Sequence, residues 1–279
     1  MTQLEQRLRA IFSQDLSQKK TWYSAVAQAY NLARPRYPQS LIDQAITWTN
    51  LTPGDSLLEL GCGPGIATPA FAQKGLSITA LEPSEVACAI AREQCNPYPH
   101  VQILNSTFEE WPLPPHPFSA VLAASSFHWL SPHLRHQKAA QALSSEGSLI
   151  LLWNIPPQPQ APVQQIIRQV HEIHLPQLAE PIDPALHEQH VHQFGQQVLD
   201  SGCFDHLQTA QLLCEKNYTV DEYLALLHSL SQYIQLDPPT RDNLFHHLHL
   251  ALTEQWGQLI PTTYLSLLHV AKKARGNRE

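Results

Sequence analysis

The most informative segment is Leu57-Leu58-Glu59-Leu60-Gly61-Cys62-Gly63-Pro64-Gly65, an apolar run that ends in three closely spaced glycines. It predicts a buried strand, a tight turn and then a helix from about Ile66. A second apolar run, residues 76–81, ends in Glu82, seventeen residues after the last glycine (82 − 65). A turn without Cβ atoms lets a ligand lie against the backbone, and a carboxylate one strand away can hold two ribose hydroxyls. Together the two segments predict a site for a nucleoside cofactor.

The spacing of the glycines distinguishes two kinds of cofactor site. A dinucleotide-binding turn has the pattern G-x-G-x-x-G, which brings a helix N-terminus to a pyrophosphate. This chain instead has G-x-G-x-G after Glu59. The pattern E-x-G-x-G-x-G resembles the first motif of the class I S-adenosylmethionine-dependent methyltransferases, and residues 59–65 match it at every fixed position. In that family the turn faces the methionine and ribose parts of the cofactor, where no phosphate is present.

Strand-like and helix-like patterns alternate along the middle of the chain. The apolar runs that predict strands are residues 57–60, 76–81, 101–104, 118–124 and 148–153. The helical patterns between them indicate βαβ crossovers, which place the strands parallel in one sheet covered on both faces. Two more strands are expected near residues 207–214 and 262–270, with helical stretches around them. We therefore predict an α/β fold: a doubly wound, mostly parallel, Rossmann-like sheet of seven strands with helices on both faces and helical insertions in the C-terminal part.

Three parts of the chain can be distinguished. Residues 1–50 are predicted to be an N-terminal helical or lid segment, which starts with a polar helical pattern from Thr2 to Lys20. Residues 51–155 are the predicted S-adenosylmethionine-binding core. Residues 156–279 begin with a stiff, proline-rich connector and are predicted to supply a helical insertion and the strands that complete the sheet and the substrate pocket.

A second resemblance concerns the segment just before the core. Its pattern Y-x-x-x-R-P-x-Y-P, with Tyr30, Arg34 and Tyr37, resembles the same region of small-molecule enzymes related to trans-aconitate methyltransferase. There this segment folds over the mouth of the cofactor site. We predict that Tyr30 and Arg34 contact the cofactor and that Tyr37 contacts the substrate; Tyr30 could instead merely pack, and Tyr37, like Arg34, could bind the cofactor's carboxylate. Arg34 could also bind an anionic substrate, since a guanidinium matches a carboxylate, or form an ion pair at the surface.

The family resemblance also implies which residues contact the cofactor. Glu59 would add negative potential near the cationic centre, and Glu82 would hold the ribose. In many members an Asp accepts a hydrogen bond from the adenine, and that place falls on Thr107 here. Phe108 is either an apolar wall of the site or plain core. The full set of predicted cofactor contacts is Glu59, Gly61, Cys62, Gly63, Gly65, Glu82, Pro83, Thr107, Phe108, Ser125, Tyr30 and Arg34.

The segment Ser125-Ser126-Phe127-His128-Trp129 would lie between cofactor and substrate. His128 is the candidate catalytic residue, because an imidazole can take the proton of a methyl acceptor or hydrogen-bond a carboxylate. His128 and Trp129, with Tyr37, are the predicted substrate contacts. The alternative is that His128 caps the next helix and Trp129 only fills the pocket wall. A carboxylate acceptor needs no base at neutral pH, whereas a hydroxyl would give His128 a role.

Composition argues against several classes of function. A net charge of −7, from 17 basic and 24 acidic residues, disfavours nucleic acid as a partner. Five cysteines without a C-x-x-C pair, and no signal-like N-terminus, indicate a cytoplasmic protein, and no apolar run is long enough for a membrane span. Sixteen histidines include no H-E-x-x-H, so no metal site is predicted. The oligomeric state is left open.

The resulting prediction is an enzyme that uses S-adenosylmethionine to methylate a small molecule, most simply at an oxygen of a carboxylate or a hydroxyl. One alternative is an oxidoreductase that binds NAD on a similar sheet, although the third glycine comes one residue too early for it. The other alternative is a methyltransferase-like protein that binds its cofactor or a partner without catalysis. Thr107, where the family usually has Asp, is the feature that favours this last alternative.

Overall fold

The computed structural model describes residues 16–179 and 184–275, which fall into two compact units. The first unit is drawn from the chain up to Pro35 and from residues 155–187 and 213–265. The second is drawn from residues 36–154, from 188–212 and from 266 onward. Most of the helix predicted over residues 2–20 lies outside the described residues.

The predicted helices and strands that fall within the described residues all have an observed counterpart. The helices are α1 (Leu16–Ala33), α2 (Gln39–Thr49), α3 (Thr68–Ala72), α4 (Glu85–Cys95), α5 (Arg135–Ala142), α6 (Ala161–His174), α7 (Pro184–Asp200), α8 (Val220–His228), α9 (Ser231–Ile234) and α10 (Pro238–Gln255). The strands are β1 (Ser56–Leu60), β2 (Ser77–Glu82), β3 (Val101–Asn105), β4 (Phe118–Ala124), β5 (Leu143–Asn154), β6 (Gln158–Pro159), β7 (Phe204–Tyr218) and β8 (Ile260–Lys273). Short 3-10 turns lie at Phe127–Trp129 and Pro176–Leu178.

The sheet of the second unit has the strand order β3-β2-β1-β4-β5-β8. The first five strands are parallel, and β8 pairs with β5 in the antiparallel sense, from Ser148↔Lys272 to Asn154↔Ser266. Leu57, Leu58 and Leu60 of β1 are fully buried, as expected for a central strand with both faces covered. The strand order reverses between β1 and β4, so the ends of these two strands form the crevice where α/β sheets bind ligands.

Across residues 16–179 and 184–275 the sheet has eight strands rather than the seven that the sequence predicts. The additional strand is β6, which pairs with Thr262 and Thr263 of β8 within the first unit. It is only two residues long and includes Pro159, which has no N–H to donate to a neighbouring strand. A proline-rich pair of this kind has no strand pattern in the sequence, where the region was interpreted as a connector.

The first unit has a largely helical core. Leu244, Leu248 and Leu252 recur every fourth residue on α10 and are fully buried, so they form one apolar stripe along that helix. Helix α8 begins with a capping box in which Thr219 and Glu222 exchange hydrogen bonds with each other's backbone N–H groups. In the described part of the chain, every helix is too short or too polar to cross a membrane.

Candidate functional site

The glycine turn after β1 meets the segment that follows β4. Gly61 has a φ of +64°, and a Cβ at this position would lie 2.9 Å from Cβ of Ser126. The hydroxyl of Ser126 donates a hydrogen bond to the carbonyl oxygen of Leu60. A side chain at position 61 would therefore separate the ends of two strands that the fold holds together.

Glu82 is fixed beside the same turn by backbone N–H groups. Gly63 donates to Oε2 of Glu82 at 2.9 Å, and Ser84 donates to Oε1 at 2.8 Å. Gly63 has a φ of +56°, and a Cβ there would meet no atom within 4 Å, so the space in front of this residue is open. The structure thus brings together the glycine turn and the carboxylate that the sequence predicts as a pair.

Glu59 is the most unusual group of the site. Its side chain is fully buried in β1, and neither carboxyl oxygen has a hydrogen-bond partner in the described chain. Burial raises the pKa of Glu59 to about 7; the nearby Thr68 hydroxyl opposes this rise, and the charge of Glu82 adds a smaller one. The Thr68 hydroxyl also lacks a hydrogen-bond partner. A buried carboxyl of this kind is stabilised by a cation, and S-adenosylmethionine carries both a sulfonium and an ammonium group.

Cys62 and Pro83 flank these acidic residues. Cys62 is buried, and burial raises the pKa of its thiol well above the usual value, with smaller effects from Glu59 and Glu82. A thiol in this environment is a poor nucleophile. The carbonyl oxygen of Pro83 accepts a hydrogen bond from Nδ2 of Asn105 at 2.9 Å. Asn105, the last residue of β3, was not predicted, and only its place at a strand end could have indicated it.

Thr107 and Phe108 lie in the turn after β3. The Thr107 hydroxyl donates to Oε2 of Glu110 at 2.8 Å and accepts from the Glu110 N–H at 3.2 Å, so it caps its own turn. Phe108 is buried, and its ring centre is 5.2 Å from Nζ of Lys138. These contacts hold the turn together, and the predicted cofactor contacts of both residues stay predictions.

Ser125 and Tyr37 meet at the end of β4. Ser125 has a φ of +54°, which is uncommon for a residue other than glycine. Its Oγ is 2.8 Å from the hydroxyl of Tyr37 and accepts a hydrogen bond from the N–H of Asn154 at 3.4 Å. The segment before α2 is therefore held at the carboxyl ends of β4 and β5, where the sequence predicts substrate and cofactor contacts.

His128 and Trp129 lie in the 3-10 turn after β4, within a group of aromatic rings. We call His128, Trp129, Trp153 and Phe194 the ring cluster. The His128 ring centre is 4.9 Å from Trp129, 5.4 Å from Trp153 and 6.0 Å from Phe194, and Trp153 and Phe194 stack at 5.2 Å. Phe194 was not predicted, because nothing in the sequence of α7 links it to the strand ends. Trp153 was predicted only as the last residue of a strand, residues 148–153.

Tyr30 and Arg34 belong to the first unit, not to the unit that holds the glycine turn. The Arg34 guanidinium donates to the hydroxyl and the carbonyl oxygen of Ser229, each at 2.9 Å, and lies 4.9 Å from the Tyr30 ring centre. Their predicted contact with the cofactor stays a prediction. Within residues 16–179 and 184–275, no three His, Cys, Asp or Glu side chains are grouped so that they could hold a metal ion.

Comparison with known sequences identifies the central part of the chain. Residues 57–147 match the family described as "Methyltransferase domain". Over 132 residues the chain is 31% identical to an uncharacterised methyltransferase of Mycobacterium bovis, covering 47% of this chain and 51% of the relative. Over 133 residues it is 26% identical to a protein named as an S-adenosylmethionine-dependent methyltransferase in Saccharomyces cerevisiae, covering 46% and 45%. The chain thus spans about half the length of the curated relatives it matches.

Solved structures share the fold. A protein described as a type II methyltransferase from Anaeromyxobacter dehalogenans matches with a TM-score of 0.61 at 20% identity, over 86% of this chain and 97% of its own. A methyltransferase assigned to an antibiotic biosynthesis pathway in Anabaena variabilis matches with a TM-score of 0.55 at 17% identity, over 84% and 98%. At these identities the likeness concerns the fold alone.

Proposed function

We propose that this chain uses S-adenosylmethionine to methylate a small molecule at an oxygen atom, on a carboxylate or a hydroxyl; the match of residues 57–147 to a methyltransferase domain supports the reaction type. The resemblance to the trans-aconitate group supports the carboxylate, and the position of His128 supports the hydroxyl.

The observation that carries the proposal is the buried, unpartnered carboxyl of Glu59 in the strand that leads directly into the glycine turn. A phosphate-bearing dinucleotide would place negative charge at the glycine turn that follows Glu59, which like-charge repulsion disfavours, whereas Glu82 suits the ribose of either ligand. A ligand that combines a cationic methionine part with an uncharged ribose diol suits both carboxylates. The residues present therefore fit S-adenosylmethionine better than they fit NAD.

The predicted contacts at the ends of the central strands have distinct roles under this proposal. The turn of Gly61, Cys62, Gly63 and Gly65 supplies close backbone approach, and Glu82 and Pro83 hold the ribose side. When bound, S-adenosylmethionine supplies a methyl group already activated by a sulfonium. The protein therefore has to orient the acceptor and exclude water, which the half-buried His128, Trp129 and Tyr37 are placed to do at the ends of β4 and β5.

Isothermal titration calorimetry with S-adenosylmethionine, S-adenosylhomocysteine and NAD tests the cofactor. We expect binding of the first two and none of NAD. Glu82→Ala should weaken binding of both at least about tenfold, which corresponds to about 1.4 kcal/mol, because it removes the acceptor of two ribose hydroxyls. Glu85→Ala, a change of the same type at an exposed residue three positions further on, is the control. Binding of NAD alone would overturn the proposal.

A transfer assay separates an enzyme from a protein that only binds the cofactor. Methyl-labelled S-adenosylmethionine is incubated with a panel of small acids, phenols and alcohols, and labelled products are counted. Transfer to at least one oxygen acceptor is expected. Cofactor binding without transfer to any acceptor would favour the non-catalytic alternative.

A further inference from the structure

The ring cluster stands where an acceptor would have to be bound. His128 and Trp129 follow β4, and Trp153, which stacks on Phe194, is the next-to-last residue of β5. The four rings therefore lie at the carboxyl ends of two neighbouring parallel strands. β4 is in turn next to β1, whose end carries the glycine turn. His128, Trp129 and Phe194 are each partly exposed, which leaves ring surface available for contact with a ligand.

The stacking in the cluster favours a flat partner. Trp153 and Phe194 are nearly parallel, with an angle of 23° between their rings, and His128 is tilted by 33° from Trp153. Aromatic rings prefer offset-stacked or edge-to-face neighbours, so a further planar ring extends this arrangement more favourably than a saturated one.

The indole N–H of Trp153 is a second observation that bears on the acceptor. Its side chain is 4% exposed, and its Nε1–H is buried without a hydrogen-bond acceptor in the described chain. Buried donors are almost always paired. An indole N–H can only donate, so its missing partner is an acceptor atom such as the oxygen of a hydroxyl or a carboxylate.

The charges around the site favour an uncharged hydroxyl over a carboxylate. Glu59 and Glu82 already make the ends of β1 and β2 acidic, and a further anion close to them is disfavoured. A cation, Arg135, lies 5.4 Å from the Phe194 ring centre, but it donates to the carbonyl of Phe127 and the side chain of Gln197. Its Nε has no partner in the described chain, so an aromatic carboxylate is the competitor that the test must include.

We propose that the methyl acceptor is a phenol, with its aromatic ring against the ring cluster and its hydroxyl near His128 and Trp153. The inference rests on the proposed function. Transfer to such a hydroxyl balances without another reagent: the oxygen gains the methyl group, the sulfur keeps the electron pair of the broken C–S bond, and the proton goes to His128. A phenol, unlike a carboxylate, gives His128 a proton to accept.

Binding of matched probes tests, without catalysis, whether the site prefers an aromatic ring in the acceptor. The probes are p-cresol, its saturated counterpart 4-methylcyclohexanol, and 4-methylbenzoate, each titrated into the protein with S-adenosylhomocysteine bound and without it. Ligand-observed NMR of the probe's methyl protons gives the dissociation constant. We expect p-cresol to bind about three- to tenfold more tightly than 4-methylcyclohexanol, the range of one aromatic contact. Equal affinities would overturn the proposal, as would tighter binding of 4-methylbenzoate.

Variants show whether the preference comes from the ring cluster. Phe194→Leu keeps apolar volume and should bring the affinity ratio of p-cresol to 4-methylcyclohexanol close to one. Phe245→Leu is the matched control, since that ring contacts His228 and Tyr233 in the first unit, and it should keep the wild-type ratio. If Phe194→Leu proves unstable, Trp129→Leu tests the same preference. A ratio that neither ring-cluster variant changes would overturn the proposal.

A kinetic measurement tests the proton-accepting role of His128 separately. His128→Gln should lower kcat for p-cresol methylation at least about a hundredfold, the usual effect of losing a general base, while the probe's dissociation constant changes little. An unchanged kcat would overturn the role of His128. If S-adenosylmethionine does not bind at all, the proposed function fails, and this inference with it. If it binds and the probes are not distinguished, only the inference fails.

Discussion

Glu59→Gln should stabilise the protein at alkaline pH and at the same time weaken its binding of S-adenosylmethionine. The wild-type carboxyl is fully buried, lacks hydrogen-bond partners in the described chain and has a pKa of about 7, against an ordinary value of 4.5. At about 1.4 kcal/mol for each pH unit, ionising it in the folded protein costs about 3 kcal/mol. Gln has nearly the same shape and never ionises.

The direction of the pH dependence follows from the raised pKa. Between about pH 4.5 and 7 the folded protein keeps a proton on Glu59 that the unfolded chain releases. The free energy of unfolding therefore falls as the pH rises through this window, and the loss is complete above it. Below pH 4.5 both states are protonated, so there the variant and the wild type differ only by the change from a carboxyl to an amide.

Urea unfolding at several pH values between 4.5 and 8.5 measures the effect. The stability of Glu59→Gln relative to the wild type should rise by about 3 kcal/mol from the lowest to the highest pH. Glu93→Gln, at an exposed position of α4, should show no such change. Calorimetry at pH 8 should show weaker binding of S-adenosylmethionine to Glu59→Gln, because the amide carries no charge for the cationic ligand. A relative stability that does not change with pH would refute the reasoning.

Three further predictions concern other parts of the site and the core. The wild type should bind S-adenosylhomocysteine more tightly than its analogue lacking the ribose 2′-hydroxyl. Titration of both ligands should show that Glu82→Ala abolishes this difference in affinity. Gly61→Ala should lower the free energy of unfolding by about 2–4 kcal/mol, from backbone strain and a clash, whereas Gly54→Ala, also at positive φ but with open space around it, should cost only about 1–2 kcal/mol. Burial, with a smaller effect of a neighbouring histidine, lowers the pKa of His269 to about 4, so the folded protein loses up to about 3 kcal/mol as the pH falls from 6.5 to 4. His269→Leu should reduce that acid loss in urea unfolding, and His133→Leu, at an exposed site, should not.

Each of these has an outcome that contradicts it. An analogue preference that survives in Glu82→Ala would mean that the ribose is held elsewhere. Equal destabilisation by the two glycine variants would show that the neighbouring strand end yields to a new Cβ without cost. If the free energy of unfolding fell equally with pH in the wild type and in His269→Leu, other buried groups would be responsible for the loss of stability in acid.

Local patterns made most of the fold predictable. The central strands are continuous apolar runs of five to seven residues, such as β1 and β4, and a run of that kind indicates a covered parallel strand wherever it lies. β6 could not be predicted, because two residues that include a proline carry no periodicity. Its pairing depends on β8, about a hundred residues later in the chain.

The candidate site, like the fold, could be predicted only in part. The glycine turn and Glu82 were predictable because the motif is contiguous and the acidic residue ends the next strand. The unpartnered state of Glu59 was not, since it depends on which side chains surround the strand end. Phe194 lies 66 positions after His128 on a helix whose sequence shows no sign of a site (194 − 128). Only the packing of that helix against the strand ends brings the two rings within 6.0 Å.

Ser125 stands in a backbone conformation that glycine would adopt with less strain. Yet glycine would remove the hydroxyl oxygen that links the phenolic group of Tyr37 to the main chain of Asn154. Glycine would thus remove a side-chain link among three separate stretches of polypeptide. The fold therefore keeps a strained backbone at Ser125 together with a polar link that positions Tyr37 at the carboxyl ends of β4 and β5.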